Sequence, residues 1–176
     1  QEAVKRDVEY SQQRLRLRLL ERQEQFMRLA RDISDRDMSP MQFDIRAESL
    51  VLQYPELMAL SWIDDQRRLM ATQTSPSVPR QRAWVADGQL KRGEVLEGFD
   101  LARDLRQPVY TQPLSEKGVE PVLYMHVPIT PRAHFAGELL AEFSVDGLLR
   151  YGVPAEVLAK YAVALFDGKD QLLAGQ

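Results

Sequence analysis

No glycine or proline interrupts the chain before Pro40, and this constrains the fold more than any motif does. Read alone, RLRLRLL (14–20) alternates like a strand. The wider window decides otherwise. Val4, Val8, Ser11, Leu15, Leu19, Arg22, Phe26, Leu29 and Ile33 recur at spacings of three and four, the period of one helix face. A helix of about 32 residues is ~48 Å long, more than a small domain needs to cover its own core. The surplus is expected to pack on a second domain or a partner helix, or to run on toward a membrane. Ser11 and Arg22 place polar side chains in the seam, which weakens the case for a regular coiled coil.

Helix restarts at DMSPMQ. Ser39 is a suitable N-cap, Pro40 fits the first helical position, and Gln42 completes a capping-box spacing. Phe43, Ala47, Leu50 and Tyr54 form its apolar stripe, and Pro55 ends it. From there the pattern becomes β: a strand at 57–63, a polar turn at 64–68 and a return strand at 69–73. Residues 74–107 read as irregular, with a short helix near Phe99–Leu105. Strands follow at 108–114 and 121–129, joined by a turn (SEKGVE). A tight connection (130–134) leads to a strand over 135–145. Helix and turn occupy DGLLRYGVPAEVLAKY, and 162–176 reads as strand, Asp-Gly turn, strand. LSWIDDQRRLMAT and ALFDGKDQLLAG repeat one pattern, so the second is expected to open another module. That final hairpin should stay out of the first sheet and pack on the helix around Val4–Leu15, since a lone hairpin buries too little to stand in water.

The strand PVLYMHVPI (121–129) has one plainly apolar face, Leu123, Met125, Val127 and Ile129. Its other face carries Val122, Tyr124, His126 and Pro128. A hairpin closing over 130–134 sets Ile129 opposite Phe135, Val127 opposite Gly137, Met125 opposite Leu139 and Leu123 opposite Ala141, all apolar. On the other face it sets His126 opposite Glu138, Tyr124 opposite Leu140 and Val122 opposite Glu142. One face is dry and is assigned to the long helix. The second mixes aromatic and ionisable groups, as the wall of a small-ligand site does. His126 and Glu138 read either as a cross-strand pair on a partly solvated face or as pocket lining. Tyr124 either lines the pocket or packs its ring and sends its hydroxyl to water. Arg82 is either a solvated arginine or a carboxylate clamp. Trp84, in a polar segment, is expected to be buried, and His134 exposed.

The chain of 176 residues can bury one good core, or one domain and part of a second. A net charge of −3 without a basic block argues against a nucleic-acid footprint. With no cysteine there is no disulfide framework, thiol nucleophile or cysteine zinc site, which suits an oxidising compartment. No apolar run approaches the ~20 residues of a membrane span, and the start at Gln1 suggests a piece of something longer. No Gly-rich phosphate loop, zincin spacing or Gly-x-Ser-x-Gly elbow occurs. Neither a catalytic residue nor a metal or cofactor site is therefore expected.

In its order of elements the chain resembles the extracellular Cache domains of bacterial membrane sensors, the PAS-like double-module type, and the similar CHASE domains. The resemblance rests on the long helix, the helix before YPELMALSWIDDQRRLMAT, the covering stretch leading to ARDLRQPVYTQPL, then VLYMHVPI and FAGELLAEFSVDGLL. It implies an α+β fold in which a PAS-like antiparallel sheet packs on the long N-terminal helix. The organisation implied is a signalling or dimerisation helix over 1–38, a membrane-distal sensor module over 39–150, and over 151–176 a linker and first hairpin of an incomplete membrane-proximal module. It further implies a periplasmic or extracellular position between transmembrane helices, a sensor histidine kinase as the full-length protein, and a homodimer formed through the N-terminal helix. Cyclic-dinucleotide enzymes and chemoreceptors carry such domains too.

Amino-acid- and amine-binding members carry Arg-x-Trp-Tyr, a later Tyr and a late Asp. Here Arg82 and Trp84 match in RAWV, Val85 replaces the tyrosine, Tyr110 stands for the later tyrosine, and Glu142 falls near the acidic position. The resemblance and the strand pattern together give Arg82, Trp84, Tyr110, Tyr124, His126 and Glu142 as candidate ligand residues under a 74–107 cover, the ligand being a small molecule such as a carboxylate or amino acid. The alternatives are a protein-interaction or dimerisation module without a small ligand and, more remotely, a cytoplasmic PAS-like domain.

Overall fold

The computed structural model describes residues 2–78, 82–111, 120–154, 164–166 and 172–175. The uninterrupted N-terminal segment forms α1 (Glu2–Asp35), a helix of 34 residues. Its apolar burial lies in the second half: Phe26, Leu29, Ala30 and Ile33 are buried, whereas in the first half Ser11 is buried but Val4 and Val8 are 39% and 46% exposed. α2 (Pro40–Gln53) begins with the expected capping box. Gln42 N–H donates to Ser39 Oγ at 3.2 Å, and Ser39 N–H donates to Gln42 Oε1 at 2.8 Å. Two of the helix's orphan donors are thereby satisfied.

Five strands follow in one antiparallel sheet: β1 (Leu57–Asp64), β2 (Leu69–Thr74), β5 (Val109–Thr111), β6 (Val122–Ile129) and β7 (Gly137–Ser144), in the spatial order β2-β1-β7-β6-β5. Between β2 and β5 lie the short hairpin β3 (Val85–Ala86) and β4 (Gln89–Leu90) and then α3 (Glu94–Leu105). α4 (Val145–Gly152) runs on directly from β7. β8 (Ala164–Phe166) and β9 (Leu172–Gly175) form a separate antiparallel pair outside the five-stranded sheet, and β9 lies against α4. Their Asp-Gly turn, the turn expected in SEKGVE, and the side chains needed to judge packing on Val4–Leu15 lie outside the described residues.

One sheet face is dry, as the alternation of β6 and β7 requires. Met125, Val127, Ile129, Leu139, Ala141 and Phe143 pack with Leu57 and Leu60 against the buried stripes of α1 and α2. Each fully buried Phe or Leu contributes about 1.5–3 kcal/mol relative to exposure, so this layer fixes the helices on the sheet.

The β6–β7 register differs from the expected one by two residues: Ile129 pairs with Gly137, Val127 with Leu139, Met125 with Ala141 and His126 with Leu140. The connection is longer than the tight turn assumed, because a 3-10 turn at Pro131–Ala133 carries Arg132 and Ala133 at positive φ. Phe135 consequently leaves the strand and meets Phe99 edge-on, ring centroids 5.5 Å apart. At the other end Val145 belongs to α4. A slip of two keeps every side chain on its face, so the division into dry and mixed faces stands. Gly137 enforces the strand start: its φ is +126°, and a Cβ there would stand 2.2 Å from the Ile63 carbonyl oxygen.

Of the two polar seam positions of α1, Ser11 donates to the Asp7 carbonyl at 2.8 Å within the helix, and Arg22, with Arg18, has a partner that the helix pattern does not reveal. Glu56, fully buried between α2 and β1, accepts from Arg18 at 3.1 Å on both carboxylate oxygens and from Arg22 Nε at 2.8 Å. Arg22 also lies over the Tyr54 ring, 4.1 Å from its centroid.

Candidate functional site

The mixed face of the sheet is covered by α3 and the 82–93 segment. Ile63, Trp84, Val95, Phe99 and Leu140 form its apolar floor and roof, with Leu69, Val85, Leu90, Tyr124 and Phe135 around them. The cover is irregular only in part. Asp87 and Gly88, both at positive φ, make the two-residue turn between β3 and β4. That turn is pinned to the β1–β2 turn by Leu69 N–H to the Gly88 carbonyl (2.7 Å) and Leu90 N–H to the Arg67 carbonyl (3.0 Å). The Asp-Gly pair in VADGQL is a usable hairpin signal, although strands of two residues show no alternation to accompany it.

Two ionisable clusters sit on this face. In the first, Glu142 of β7 is fully buried and receives both candidate residues of the cover. Arg82 forms an ion pair with Glu142 Oε1, and Trp84 Nε1–H donates to the same oxygen at 3.1 Å. Glu142 Oε2 is buried with no hydrogen-bond partner among the described residues. Tyr124, paired with Glu142 across the ladder, has its hydroxyl pushed up to about 12. Burial is the main cause, with Glu142 adding to it, Arg82 opposing it and Glu94 adding a little.

In the second cluster, His126 Nδ1 lies 2.6 Å from Glu138 Oε1 and His126 Nε2 lies 3.3 Å from Thr111 Oγ1. His126 and Glu138 are both fully buried. They form the cross-strand pair on a face closed from solvent, not a partly solvated one. They meet diagonally, since the shifted register puts Glu138 two positions from the residue opposite His126. Burial raises the Glu138 carboxyl; the hydrogen bond and charge of His126 oppose this and Asp100 adds to it. Glu138 Oε2 also has no partner among the described residues. α3 rests on the imidazole through Gly98, where a Cβ would stand 2.3 Å from His126 Nε2.

A cavity of about 340 Å³ opens beside this second cluster, lined by Glu94, Glu97, Gly98, Leu101 and Thr111. Burial and the neighbouring Glu97 raise the Glu94 carboxyl. Carboxylates therefore predominate on this side, and Arg82 is committed to one of them.

Of the candidate residues, Arg82, Trp84, Tyr124 and Glu142 come together, and His126 lies on the same face in its own cluster. Tyr110 does not join them. It pairs with Met125 and turns toward α1, where its hydroxyl donates to Gln23 Oε1 at 2.7 Å. Its neighbour Thr111 takes the inward position, because parity along β5 is set by the pairing of Val109 with His126. Thr111, Gly98 and Glu94 were missed: α3 begins five residues earlier than its apolar pattern suggested, placing Glu94 and Gly98 on the helix. His134 is exposed, as expected.

A long helix and a shorter one backing a five-stranded antiparallel sheet, with covered ionisable groups on the opposite face, is the PAS-like architecture that the resemblance to Cache domains implied. It is the fold of sensor domains of bacterial receptors. The chain is similar to the ligand-binding domain of the Campylobacter jejuni chemoreceptor Tlp3 solved with L-valine, at 11% identity and a TM-score of 0.64, over 99% of this chain and 71% of that one. It is similar to the ligand-binding domain of the Pseudomonas aeruginosa PAO1 chemoreceptor PctB solved with L-Arg, at 17% identity and 0.65, over 98% and 64%. The extracellular domain of the putative histidine kinase mmHK1S-Z2 is similar at 11% identity and 0.61, over 94% and 65%. No family model matches the sequence, and no curated protein does.

Proposed function

We propose that this chain is a non-catalytic periplasmic sensor domain of a transmembrane signalling protein, a sensor histidine kinase, that binds a small carboxylate or amino acid beneath the 82–105 cover. One observation carries the reading. Arg82 and Trp84, two residues from the cover, converge on a fully buried carboxylate of the central strand whose second oxygen has no partner among the described residues. Packing alone would be served better by apolar groups, since burying such charges is costly. An α-amino acid matches the set: its carboxylate would take the guanidinium and indole donors from Glu142, and its ammonium would take the carboxylate so released. Similar domains solved with L-valine and L-Arg support the same class. A thermal-shift screen of amino acids, dicarboxylates and amines on the 176-residue chain tests this. Stabilisation by one class, lost in Arg82→Ala, is expected; silence from all three classes would refute it.

A second reading has its own observation. Met41, Ile45 and Leu52, on the outer face of α2, are 75%, 67% and 69% exposed, and Leu17 and Leu20 of α1 are 60% and 45% exposed. Such apolar groups on the helical layer favour a homodimer through α1 with help from α2. Sedimentation equilibrium of the wild type against Leu17→Glu and Ile45→Glu decides it. A monomer at all concentrations removes the dimer.

A further inference from the structure

Glu138, His126, Thr111 and Tyr110 link the closed face of the sheet to the long helix on the other side. Glu138 Oε1 meets His126 Nδ1 at 2.6 Å, and His126 Nε2 meets Thr111 Oγ1 at 3.3 Å. The adjacent residue on β5, Tyr110, holds Gln23 of α1 at 2.7 Å. Gln23 is itself oriented, its amide donating to Met27 Sδ at 3.9 Å. Gly98 of α3 closes one side of the imidazole so tightly that a Cβ would not fit between them. What can change is its proton.

With Glu138 ionised and Nδ1–H donating to it, Nε2 keeps a lone pair and accepts from the Thr111 hydroxyl. The buried pair then carries one net negative charge. One proton taken up from solvent at Nε2 makes the pair neutral overall, the state that burial favours. Nε2–H must then donate to Thr111 Oγ1, and the threonine hydroxyl must turn its own proton elsewhere. The bond reverses direction without either strand leaving the sheet. Because the proton belongs to the pair, its uptake has one midpoint whichever residue carries it.

The surroundings favour uptake. From α3, Asp100 faces Glu138, although Arg67 (2.8 Å) and Arg103 (3.4 Å) share its charge. Glu94 and Glu97 line the cavity beside Thr111. From β7 comes Glu142 with its Arg82, and from β6 Tyr124. On β1, Asp64 is occupied by the Gln66 and Arg68 N–H groups.

We propose that the His126–Glu138 pair is a proton-sensing element: acidification loads one proton on it, and the reversed Thr111 bond changes how β5 holds Gln23 of α1. This goes beyond small-molecule binding and does not require it.

The test is NMR on the 176-residue chain, followed from neutral pH down to the acid edge of its folded range. The imidazole nitrogens of His126 and the side-chain amide of Gln23 are followed together. Both should shift with one common midpoint. Tyr110→Phe, at a position 39% exposed and so able to accept the change, should leave the His126 titration in place and abolish the Gln23 response. His126→Gln should abolish the Gln23 response, and His134→Gln should leave it intact. The proposal is overturned if the His126 nitrogens do not change over this range, or if Gln23 follows pH equally well in Tyr110→Phe.

Discussion

Replacing Glu142 by alanine removes the one carboxylate on which Arg82 and Trp84 converge, and the consequence can be sized. The side chains of Glu142 and Arg82 are 0% and 11% exposed. Removing one partner of a buried pair costs about 3–5 kcal/mol. The slight exposure of Arg82 puts the expectation near the lower end, about 3 kcal/mol, part of it from the indole N–H that loses its acceptor. For a chain of this size each kcal/mol moves the melting temperature by roughly 2–4 °C, so a fall of ~6–12 °C is expected in a calorimetric scan. Glu142→Gln keeps an acceptor for Trp84 and loses the charge, and should fall between alanine and wild type.

The same variant tests what the site recognises. The space vacated in Glu142→Ala fits a small carboxylate facing Arg82 and Trp84, so acetate should act as a replacement side chain. At one hundred times its dissociation constant a ligand specific for the folded state returns about 2.7 kcal/mol, most of the loss. Acetate brings no ammonium to engage a displaced Glu142, so wild type and Glu142→Gln, whose own side chains hold the donors, should gain little. A fall in Tm under about 2 °C would refute the assigned energetics. Equal stabilisation of all three proteins by acetate would refute recognition at this point.

Three further expectations concern the frame around the site. Gly98→Ala drives a methyl group into His126, with the nearest ring atom at 2.3 Å, and should cost about 1–3 kcal/mol by urea titration, with hydrogen exchange rising first in α3. Gly137→Ala meets backbone at a positive φ and should cost more, above about 3 kcal/mol; a smaller loss than Gly98→Ala would contradict the geometry. Glu56 is subject to burial, which resists its ionisation, but Arg18's hydrogen bond, its own backbone N–H and the charges of Arg22 and Arg18 outweigh this and hold its carboxyl below the usual range. Its stabilisation is therefore complete above the unfolded carboxylate value of about 4.3 and is lost as pH falls through the lower folded value. Glu56→Gln should be less stable than wild type at neutral pH, with the gap closing only below about pH 4.3.

What the sequence made legible follows from where period and chemistry agree. α1, α2 and the two faces of β6 and β7 were readable because apolar spacing over several turns or strands allows one answer. The register was not, because the alternation is indifferent to a shift of two, and only the length of the connection chooses between the candidates. Arg132 and Ala133 at positive φ lengthen it, and nothing in TPRAH announces that conformation. His126 and Glu138 were still joined correctly, since residues two apart on one face remain within reach along the diagonal. Tyr110 came from the resemblance, as the later tyrosine, and a resemblance in order of elements does not carry strand parity: the pairing of Val109 with His126 turns Tyr110 toward Gln23 of α1.

Arg22 shows most directly why the long helix needed a contact that helical spacing cannot express. An apolar stripe of Phe26, Leu29 and Ile33 fixes the face of α1 but is tolerant of sliding, because a shift of one turn brings similar side chains to similar holes. The double hydrogen bond from Arg18 and the shorter one from Arg22 to a single buried carboxylate admit one axial position. Glu56 is in turn locked to the end of β7, since its carbonyl accepts from Ser144 N–H at 2.9 Å. Glu142 lies two residues before Ser144 on that strand. The cover's ionic anchor and the helix's ionic anchor thus attach to the same strand of the sheet, one on each face. A displacement of β7 at Glu142 reaches Glu56 through one strand segment and one hydrogen bond, and α1 cannot decline to follow it by slipping.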